Sequence, residues 1–533
     1  MRFGVNYTPA VGWFHSWLDF TPSDVARDLE QIASLGVDHV RIFPLWPLIQ
    51  PNRTLIRSSA LEDVATVVDI AGSFGLDVNV DALQGHLSSF DFVPSWLESW
   101  HRRNMFTEPS VVASTASYVE ALAAAVADRP NLLGITIGNE VNQFAHAPHP
   151  TPHAVSPAEA STWAATMVAA ARAGLAGRDE LAVPAGLAAP DGLEGRLDSG
   201  GSAHAGAADG LEGRLDSAPS ASDGPWVTLA QYDAAWYDDA QPFGPDHAAD
   251  HGDMTVTHSW VFNGAARVHG PLGAGSVRHG EYLLQLAAAW GADADADAGA
   301  GGSRRPNWLQ EVGAPTNVVP VADAADFLEG TIRHAADVQD LFGITWWCSH
   351  DVSRSLADFP ELEYDLGLFT NAGELKPTGE RFAALAREFG GSDRGPALAA
   401  ARGRTNSGSD PAGTPGSGIL DDRRDGSPGP VDALVLDDVD ELGRPNPGFR
   451  AECAPGGRFA LAWVDLAEAL GRGPRVVLRS RLAEPGLQAG PSVPVGSSAP
   501  AGSSIRADGL VLHRVPAGGE SIHMSVAHPA TMP

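Results

Sequence analysis

The stretch GITIGNEVN, from Gly134 to Asn142, combines the two features that decide the fold. Its first five residues are small, apolar or β-branched, as in a buried β-strand. It then ends in Asn139-Glu140, so a carboxylate stands at the point where the strand leaves the core. Polar residues at strand ends are typical of parallel sheets whose strands open onto a functional face.

Similar β-branched runs recur from residue 2 to about residue 390 and alternate with helical stretches of 3.6-residue periodicity. Such alternation predicts repeated βα units and a parallel sheet. The eight predicted strands are FGVNY (3–7), VDHVRIFP (37–44), LDVNVDAL (76–83), LLGITIGNE (132–140), WVTLAQYD (226–233), DMTVTHSW (253–260), PNWLQEVG (306–313) and FGITWWCS (342–349).

Two of the intervening helices have recognisable limits. SDVARDLEQIASLG (23–36) can be capped by Ser23 or Thr21 and ended by Gly36, and a second helix spans 322–341. Eight βα units in about 390 residues predict an α/β fold, a (β/α)8 TIM barrel with loop insertions and a small C-terminal α/β appendage. A doubly wound open sheet is the alternative, but it usually has a Gly-rich phosphate-binding turn after its first strand, and VNYTPAVGW is not one.

Two regions interrupt the barrel pattern. Residues 185–224 contain DGLEGRLDS twice, at 191–199 and 209–217. Two copies are too few for a solenoid, so a duplication inside a surface loop is predicted. Residues 291–305 are interpreted as a second loop insertion. Their Asp spacing suggests calcium, but the alternating Ala and the absence of a bidentate Glu favour a solvated loop.

We divide the chain into a catalytic barrel at 1–390, a Gly/Ser/Pro/Asp-rich linker at 391–430 and a C-terminal region at 431–533. In the C-terminal region, VDALVLDD, the helical GRFALAWVDLAEAL (457–470) and PRVVLRSRL predict a small α/β unit of unknown role.

Charge and cysteine content limit the possible partners. The net charge of −31 argues against nucleic acid or an anionic membrane surface and suits a neutral substrate. Two distant cysteines, Cys348 and Cys453, make a disulfide framework or a thiolate metal site improbable. No signal-peptide core or membrane span is predicted, so the expected location is cytoplasmic. The oligomeric state is left open.

Polar and aromatic residues stand at the ends of the predicted strands, where a barrel of this kind carries its chemistry. A single Glu at such a position is usually a solvated loop residue, but two Glu with Arg and His between them are hard to explain as unrelated surface positions. The residues are Arg41 on the second strand, His86 after the third, Asn139 and Glu140 on the fourth, Tyr232 on the fifth, His258 and Trp260 on the sixth, Glu311 on the seventh, and Trp346 and Trp347 on the eighth.

Two carboxylates across a barrel mouth suit glycoside hydrolysis, in which one group stays protonated to donate and the other is ionised to attack. Their surroundings must then separate the two pKa values. Arg41 would keep the nucleophile ionised, and burial beside Trp and Asn would favour the neutral acid. Tryptophans at the rim offer flat faces on which sugar rings stack. They include Trp13, Trp17, Trp46, Trp96, Trp236 and Trp260.

These motifs resemble the clan A retaining glycoside hydrolases over residues 1 to about 390. In that clan the acid/base Glu follows an Asn on strand four, as Asn139-Glu140 does in GNEVN, and the nucleophile Glu ends strand seven, as Glu311 does in WLQEVG. Within the clan the chain resembles family 5, the cellulase and mannanase family. The matching positions for its Arg, two His and Trp are Arg41, His86, His258 and Trp346 or Trp347.

One position departs from the family 5 pattern. The family usually has His-x-Tyr on strand six, with the Tyr touching the nucleophile, whereas this chain has His258-Ser-Trp260. Either the Trp260 indole replaces the phenol, or Tyr232 or Tyr237 does.

Three stretches resemble subfamily 18 of family 5, whose characterised members are exo-acting β-mannosidases that prefer Manβ1,4GlcNAc. They are VNVDALQGHLSSFDFVPSW, QYDAAWYDDAQPF and TWWCSHDVSRSLADFPELEYDLGLF. The resemblance implies an oligosaccharide substrate and no metal or cofactor. It also implies Glu311 as nucleophile and Glu140 as acid/base, with carboxyl groups about 5 to 5.5 Å apart.

The remaining substrate contacts are expected from Arg41, His86, Tyr232, Trp236 and His258, together with Trp260, Trp346 and Trp347, while Asn139 is expected at the sugar 2-hydroxyl. An endo-acting mannanase or glucanase is the alternative within the family. From other classes, the alternatives are a metal-dependent hydrolase using His86, Asp81 and His258 and a non-catalytic sugar-binding barrel.

Overall fold

The computed structural model describes residues 1–88, 90–147, 149–177, 224–291, 305–390 and 431–481, and short strands at 506–507, 510–511 and 513–515. Both DGLEGRLDS copies, most of the predicted 291–305 loop and the 391–430 linker lie outside the described residues. The predictions made for those segments therefore stay predictions.

Eight parallel strands close into a barrel, in which each strand pairs with the next along the chain and the eighth pairs with the first. The predicted (β/α)8 barrel is therefore confirmed. Its strands are β1 (Arg2–Asn6), β2 (His39–Ile42), β3 (Asp77–Asp81), β4 (Leu132–Ile137), β5 (Trp226–Leu229), β6 (Thr255–Ser259), β7 (Asn307–Val312) and β8 (Leu341–Trp346).

A helix follows each strand and packs its apolar side on the barrel. The helices are α1 (Pro22–Ser34), α2 (Ser58–Ser73), α3 (Pro109–Val126), α4 (Pro157–Ala176), the short α5 (Pro245–Asp250), α6 (His279–Gly291), α7 (Ala324–Ala336) and α8 (Pro377–Gly390). Further short helices are Trp46–Ile49, Ala234–Tyr237, Ala265–His269 and Ala274–Val277.

Helix α1 illustrates how the local sequence sets an element. Pro22 occupies the first turn, where its missing N–H costs nothing, and Thr21 stands at the N-cap position without a side-chain cap bond. Val25, Leu29 and Ile32 recur on one face and are buried. Gly36 follows with φ 82°, a left-handed conformation that stops the helix.

Among the described residues, α3 is the one helix long and apolar enough to cross a membrane by length and composition. Its apolar face belongs to the main core, in which Val111, Tyr118 and Leu122 are fully buried. The Tyr118 hydroxyl donates to the carbonyl of Ala82 at the end of β3. These contacts are those of a helix that packs on the barrel.

The C-terminal region forms a small α/β unit against α6. It contains β9 (Val431–Leu436), α9 (Phe449–Cys453), α10 (Arg458–Leu470), β10 (Arg475–Leu478) and β11 (His513–Val515), with sheet order β10-β9-β11. Trp463 and Leu434 share a buried cluster with Tyr282 and Leu283 of α6. The Tyr282 hydroxyl donates to the carbonyl of Cys453.

Candidate active site

Strand register brings the polar strand ends together. Asn6 of β1 lies beside Arg41 of β2, and His258 of β6 lies beside Glu311 of β7. The β6–β7 register shifts between Thr257 and His258. Because all eight strands are parallel, their carboxyl ends meet at one rim, as the sequence predicted.

The chain turns sharply after β4, which explains how the opening stretch presents its carboxylate. Gly138 has φ 73°, and a Cβ there would stand 2.1 Å from Cγ1 of Val141. Glu140 itself has φ 54° and ψ 39°, a left-handed conformation that is uncommon for a side-chain-bearing residue. Such backbone strain is typical of functional sites, and here it turns Glu140 into the barrel mouth.

Glu140 is 6% exposed and has a polar partner at each oxygen. Its Oε1 lies 2.9 Å from Nδ1 of His258, and its Oε2 accepts from Nε2 of Gln143 at 2.5 Å. Burial raises the pKa of Glu140 to about 7, against the opposing effects of His86, Gln143 and Arg41. A carboxyl group with this pKa can hold a proton near neutrality and release it on demand.

Glu311 is 4% exposed, and its hydrogen-bond donors are stronger than those of Glu140. Its Oε1 accepts from the Trp260 indole N–H at 2.9 Å, and its Oε2 accepts from Nη1 of Arg41 at 3.2 Å. Burial raises the pKa of Glu311, and His258, Arg41 and Trp260 oppose that rise while Glu140 adds to it. A guanidinium and an indole N–H both favour the ionised form, so this partner set suits a nucleophile.

Arg41 is fully buried and links four polar groups at the rim. Besides Glu311, it donates to Asn6 at 3.3 Å, to Asp81 at 2.6 Å and to Oδ1 of Asn139 at 2.7 Å. Burial raises the pKa of Asp81 to about 7, although Arg41 opposes this. Arg41 therefore fixes the positions of the carboxyl groups around it and favours their ionised forms.

His258 is fully buried, and burial lowers its pKa to about 4. Its ring is therefore neutral at neutral pH. Its Nδ1 also lies 3.6 Å from Oε2 of Glu311, so the imidazole stands between the two glutamates. The imidazole therefore separates the two carboxyl groups and offers each of them a polar contact.

The two glutamates line a cavity of about 240 Å³ at the rim of the barrel. Its walls come from the strand ends, from the hairpin that follows β3 (Gly85–Leu87 and Phe90–Phe92) and from the loop between β8 and α8. The lining residues are His86, Leu87, Ser88, Asn139, Glu140, Gln143, Tyr232, Trp260, Phe262, Glu311, Trp347, Pro360, Leu362 and Glu363.

The sixth strand carries Trp260 where the family 5 pattern usually has a Tyr, and the indole of Trp260 takes over the contact of that Tyr. Its N–H contacts Glu311 directly, in the place expected for the family tyrosine. Tyr232 lines the cavity, whereas the Tyr237 hydroxyl lies 2.9 Å from Nε2 of His279, behind the site. Of the three alternatives, Trp260 makes the contact.

Two residues predicted to bind substrate lie elsewhere. Trp236 is 1% exposed in the cluster that joins α6 to the C-terminal unit, where its ring packs against Trp290. The chain after β5 turns into the helix Ala234–Tyr237 and carries Trp236 away from the rim. Trp346 is also 1% exposed and packs against Phe382 of α8, so its neighbour Trp347 is the tryptophan that reaches the cavity.

Three polar residues of the cavity were not identified from the sequence: Ser88, Gln143 and Glu363. Gln143 lies three residues after Glu140, so its proximity could have been inferred from the turn. Glu363 belongs to the long β8–α8 loop, well beyond any strand end, and its Oε2 accepts from the Ser88 hydroxyl at 2.8 Å. Only the fold of that loop brings it to the cavity, because no sequence signal marks it.

Asn139 has both ends of its amide engaged. Oδ1 accepts from Arg41, and Nδ2 donates to the carbonyl of His86 at 2.9 Å. His86 is half-buried, and its Nδ1 lies 2.8 Å from Asp91, a neighbour that contributes to the raised pKa of the imidazole. Both residues line the cavity, so the predicted contacts to a sugar remain available to them.

Within the part of the chain that the structure describes, one group has metal-ligand spacing: Glu140, His258 and Glu311. It is not the set His86, Asp81 and His258 that the metal-dependent alternative required. The Glu311 oxygens in this group already accept from Arg41 and Trp260. A guanidinium beside the carboxylates supplies the positive charge that a cation would bring.

A second cavity, of about 280 Å³, lies at the amino-terminal ends of β7 and β8 and against β10. Its walls include Glu281, Asn307 and Arg475. This cavity is at the opposite end of the barrel from the paired glutamates.

No protein-family model matches the chain, and no curated protein matches it closely. Solved structures do match. A glutamate-to-alanine variant of GH5_18 from Streptomyces cattleya, in complex with Manβ1-4GlcNAc, is 42% identical and superposes with a TM-score of 0.70, covering 90% of this chain and 94% of that one.

A second match is a glutamate-to-alanine variant of GH5_18 from Bifidobacterium longum subsp. longum, also in complex with Manβ1-4GlcNAc. It is 36% identical with a TM-score of 0.69, covering 90% of this chain and 91% of that one. An exo-β-1,4-mannosidase from an Opitutaceae bacterium, at 19% identity and a TM-score of 0.60, shares the fold. Identity of 36 to 42% over nearly the whole chain places the protein among the glycoside hydrolases, as a member of family 5, subfamily 18 (GH5_18).

Proposed function

We propose that the protein is a retaining, exo-acting β-mannosidase that hydrolyses short β-mannosides such as Manβ1-4GlcNAc. The observation that carries the proposal is the pairing of Glu140 and Glu311, which have carboxylate oxygens within 4.8 Å of each other in one buried cavity. Retaining glycosidases hold their carboxyl groups about 5 to 5.5 Å apart, whereas inverting enzymes leave about 6.5 to 9.5 Å for a water molecule. The short separation supports a double displacement.

In the first step Glu311 attacks C1 of the mannoside, and the bond from C1 to the glycosidic oxygen breaks. Glu140 gives its proton to that oxygen, so the aglycone leaves as an alcohol. Arg41 and Trp260 keep Glu311 ionised before the attack. The product of this step is a covalent glycosyl-enzyme on Glu311.

In the second step Glu140, now a carboxylate, accepts a proton from water as the water oxygen attacks C1. The bond between C1 and Glu311 breaks, and mannose leaves with its original anomeric configuration. A pKa near 7 suits Glu140 to both roles, because it can lose and regain a proton at little cost around neutral pH.

Two observations support the choice of sugar. The GH5_18 variants from Streptomyces cattleya and Bifidobacterium longum hold Manβ1-4GlcNAc, and each matches 90% of this chain. The net charge of −31 suits an uncharged disaccharide.

Exo action is supported by the closure of one side of the rim. Phe359 of the β8–α8 loop packs on Trp13 at 4.7 Å and on Phe90 of the hairpin at 4.8 Å between ring centroids. The Ser88–Glu363 hydrogen bond joins the same two segments. An endo-acting mannanase or glucanase needs a cleft open at both ends, and these contacts close one of them.

The decisive experiment is product analysis with Manβ1-4GlcNAc and a panel of p-nitrophenyl β-glycosides. We expect mannose as the first and only new monosaccharide besides GlcNAc, released as the β-anomer by NMR. Mannotetraose should give mannose and mannotriose at early times. Early mannobiose would favour the endo alternative, and release of the α-anomer would contradict the double displacement.

Variants test the two glutamates. Glu140→Ala should lower kcat/KM by about 10²- to 10⁴-fold, the usual contribution of a general acid, and Glu311→Ala should abolish turnover. Glu361→Gln is a matched control, since that side chain is 78% exposed and pairs with Arg354. All three should melt close to wild type, and an assay in excess chelator should leave wild-type activity unchanged. Normal turnover in either alanine variant would contradict the assignment.

We also propose a cytoplasmic location. Cys348 and Cys453 are buried and unpaired, which suits a reducing compartment. Cell fractionation tests this directly, and activity found outside the cytoplasmic fraction would contradict it.

A further inference from the structure

A third carboxyl group, that of Glu363, faces the same cavity as the two glutamates of the proposed mechanism. It is carried by the β8–α8 loop between Pro360 and Leu366. Burial raises the pKa of Glu363 to about 7, and the nearby Glu311 and Glu140 add to that effect. Burying a third carboxyl group in a small cavity costs folding free energy, so Glu363 is not there for stability.

The position of Glu363 in the barrel places it on the side of the cavity away from the leaving group. The acid Glu140 follows β4, and in an eight-stranded ring β8 lies opposite β4. The leaving group must lie on the side of Glu140, which protonates it. The sugar attacked by Glu311 then extends its far ring atoms toward β8, where Trp347 and the Glu363 loop form the wall.

The hydrogen bonding of Glu363 leaves an oxygen available. Oε2 accepts from the Ser88 hydroxyl at 2.8 Å, which fixes the carboxyl group between the loop and the hairpin. Oε1 has no hydrogen bond to any residue in the described ranges. A carboxyl oxygen held at a cavity wall in this way is suited to accept from sugar hydroxyls, which are good donors.

Resting on the proposed function, we propose that Glu363 is a specificity-determining residue that binds a ring hydroxyl of the terminal mannose on the side away from the leaving group. Leu362 and Trp347 line the same cavity and supply apolar surface to it. The hydroxyl belongs to the far side of the ring, at C3, C4 or C6, because C1 and C2 face the two catalytic glutamates.

The test pairs a protein variant with a substrate lacking one hydroxyl. Glu363→Ala should lower kcat/KM on p-nitrophenyl β-mannoside by about 10- to 100-fold, mainly through KM, as expected for loss of a hydrogen bond to a buried carboxyl group. The 3-, 4- and 6-deoxy mannosides are then assayed with both proteins. For one of these three substrates we expect wild type to show a fall in kcat/KM as large as the fall that Glu363→Ala causes on p-nitrophenyl β-mannoside. Glu363→Ala should show no further fall with that substrate, because the hydrogen bond is already absent.

Glu363→Gln keeps the shape and an acceptor for Ser88, so it guards against a result caused by misfolding. It should show the same substrate pattern with a smaller loss. Glu361→Gln, two residues away and exposed, should leave all four substrates unaffected. An equal loss for every deoxy substrate, or a loss in Glu361→Gln as large as in the Glu363 variants, would overturn the inference.

The proposed function is tested separately by wild type on Manβ1-4GlcNAc. If wild type releases no mannose, the proposed function fails, whatever the Glu363 variants do. If wild type releases mannose but Glu363→Ala lowers kcat/KM on every deoxy substrate, only the inference about Glu363 fails, and the proposed function stands.

Discussion

The bond from Trp260 to Glu311 can be tested with one substitution. Trp260→Phe keeps an aromatic ring but removes the N–H that lies 2.9 Å from Oε1. That donor favours the ionised carboxylate, so its loss should raise the pKa of Glu311 and move the acid limb of the kcat/KM profile to higher pH. We also expect about a 10- to 100-fold fall in kcat/KM at the optimum. An acid limb that stays in place would show that Trp260 does not control the charge of Glu311.

Gln143 should affect the alkaline limb of the same kcat/KM profile. Its amide donates to Oε2 of Glu140, which favours the charged form and holds down a pKa that burial raises to about 7. Wild-type activity should therefore fall above about pH 7 as Glu140 loses its proton. Gln143→Leu removes the donor, so the pKa of Glu140 rises and the alkaline limb moves to higher pH. A profile of kcat/KM from pH 4 to 10 measures this, and a shift to lower pH would contradict the assignment of Glu140 as the acid.

Asp233 offers a stability test that is independent of catalysis. It is 2% exposed and accepts from Nδ2 of Asn263, and burial raises its pKa to about 8. A carboxyl group with a raised folded-state pKa stabilises the fold below its unfolded pKa of about 3.9 and loses that contribution as pH rises toward 8. Asp233→Asn cannot ionise. The melting temperature of this variant relative to wild type should therefore increase from pH 5 to pH 9, and a constant difference would contradict the raised pKa.

At the scale of elements, the sequence determines the strands well and the loops poorly. β4 was predictable from its nearly continuous apolar run LLGITI, which suits a buried parallel strand, and β7 from the apolar Trp308, Leu309 and Val312 around its polar residues. The polar ends of both strands could be located by counting. Trp346 and Trp347 are consecutive and both buried, so the sequence does not distinguish them, and only the packing of Trp346 on α8 leaves Trp347 as the one that lines the cavity. Glu363 and Trp236 could not be placed, because each depends on a loop that packs against a distant segment.

The β8–α8 loop should depend on the chain's one lysine. Nζ of Lys376 donates to Oδ1 of Asp351 and to the carbonyl of Asp365, both at 2.8 Å, so it joins the two ends of the loop that carries Glu363. Lys376→Met removes both bonds and should raise KM by about 5- to 20-fold with little change in kcat, since the loop binds substrate rather than reacting. Lys376→Arg retains the charge and should lose less. An unchanged KM in Lys376→Met would show that the aromatic contacts of Phe359 suffice to hold the loop.

Across the whole molecule, the C-terminal unit is connected to the rim through the chain that follows β5. Arg450 of α9 is 9% exposed and donates to the carbonyls of Ala235 and Phe243 from Nη1 and of Gln241 from Nη2. These three carbonyls belong to the segment that begins at Tyr232, a residue of the cavity wall. The described residues of this unit do not line the cavity, but the unit can still affect the site by fixing the backbone beside it.

Arg450→Ala tests this connection. Three buried carbonyls lose their donor, so the free energy of unfolding should fall by about 2 to 4 kcal/mol, and KM should rise as the Tyr232 segment loosens. Arg458→Ala is the matched control in the same unit, because that side chain is 69% exposed and lies 3.6 Å from Glu452. Denaturant unfolding and steady-state kinetics measure both quantities. If Arg450→Ala is destabilised while KM stays unchanged, the C-terminal unit contributes to stability alone. If Arg450→Ala is destabilised and its KM also rises, while Arg458→Ala matches wild type, the C-terminal unit also shapes the cavity. Arg450 does not line the cavity, so a change in KM must act through the Tyr232 segment.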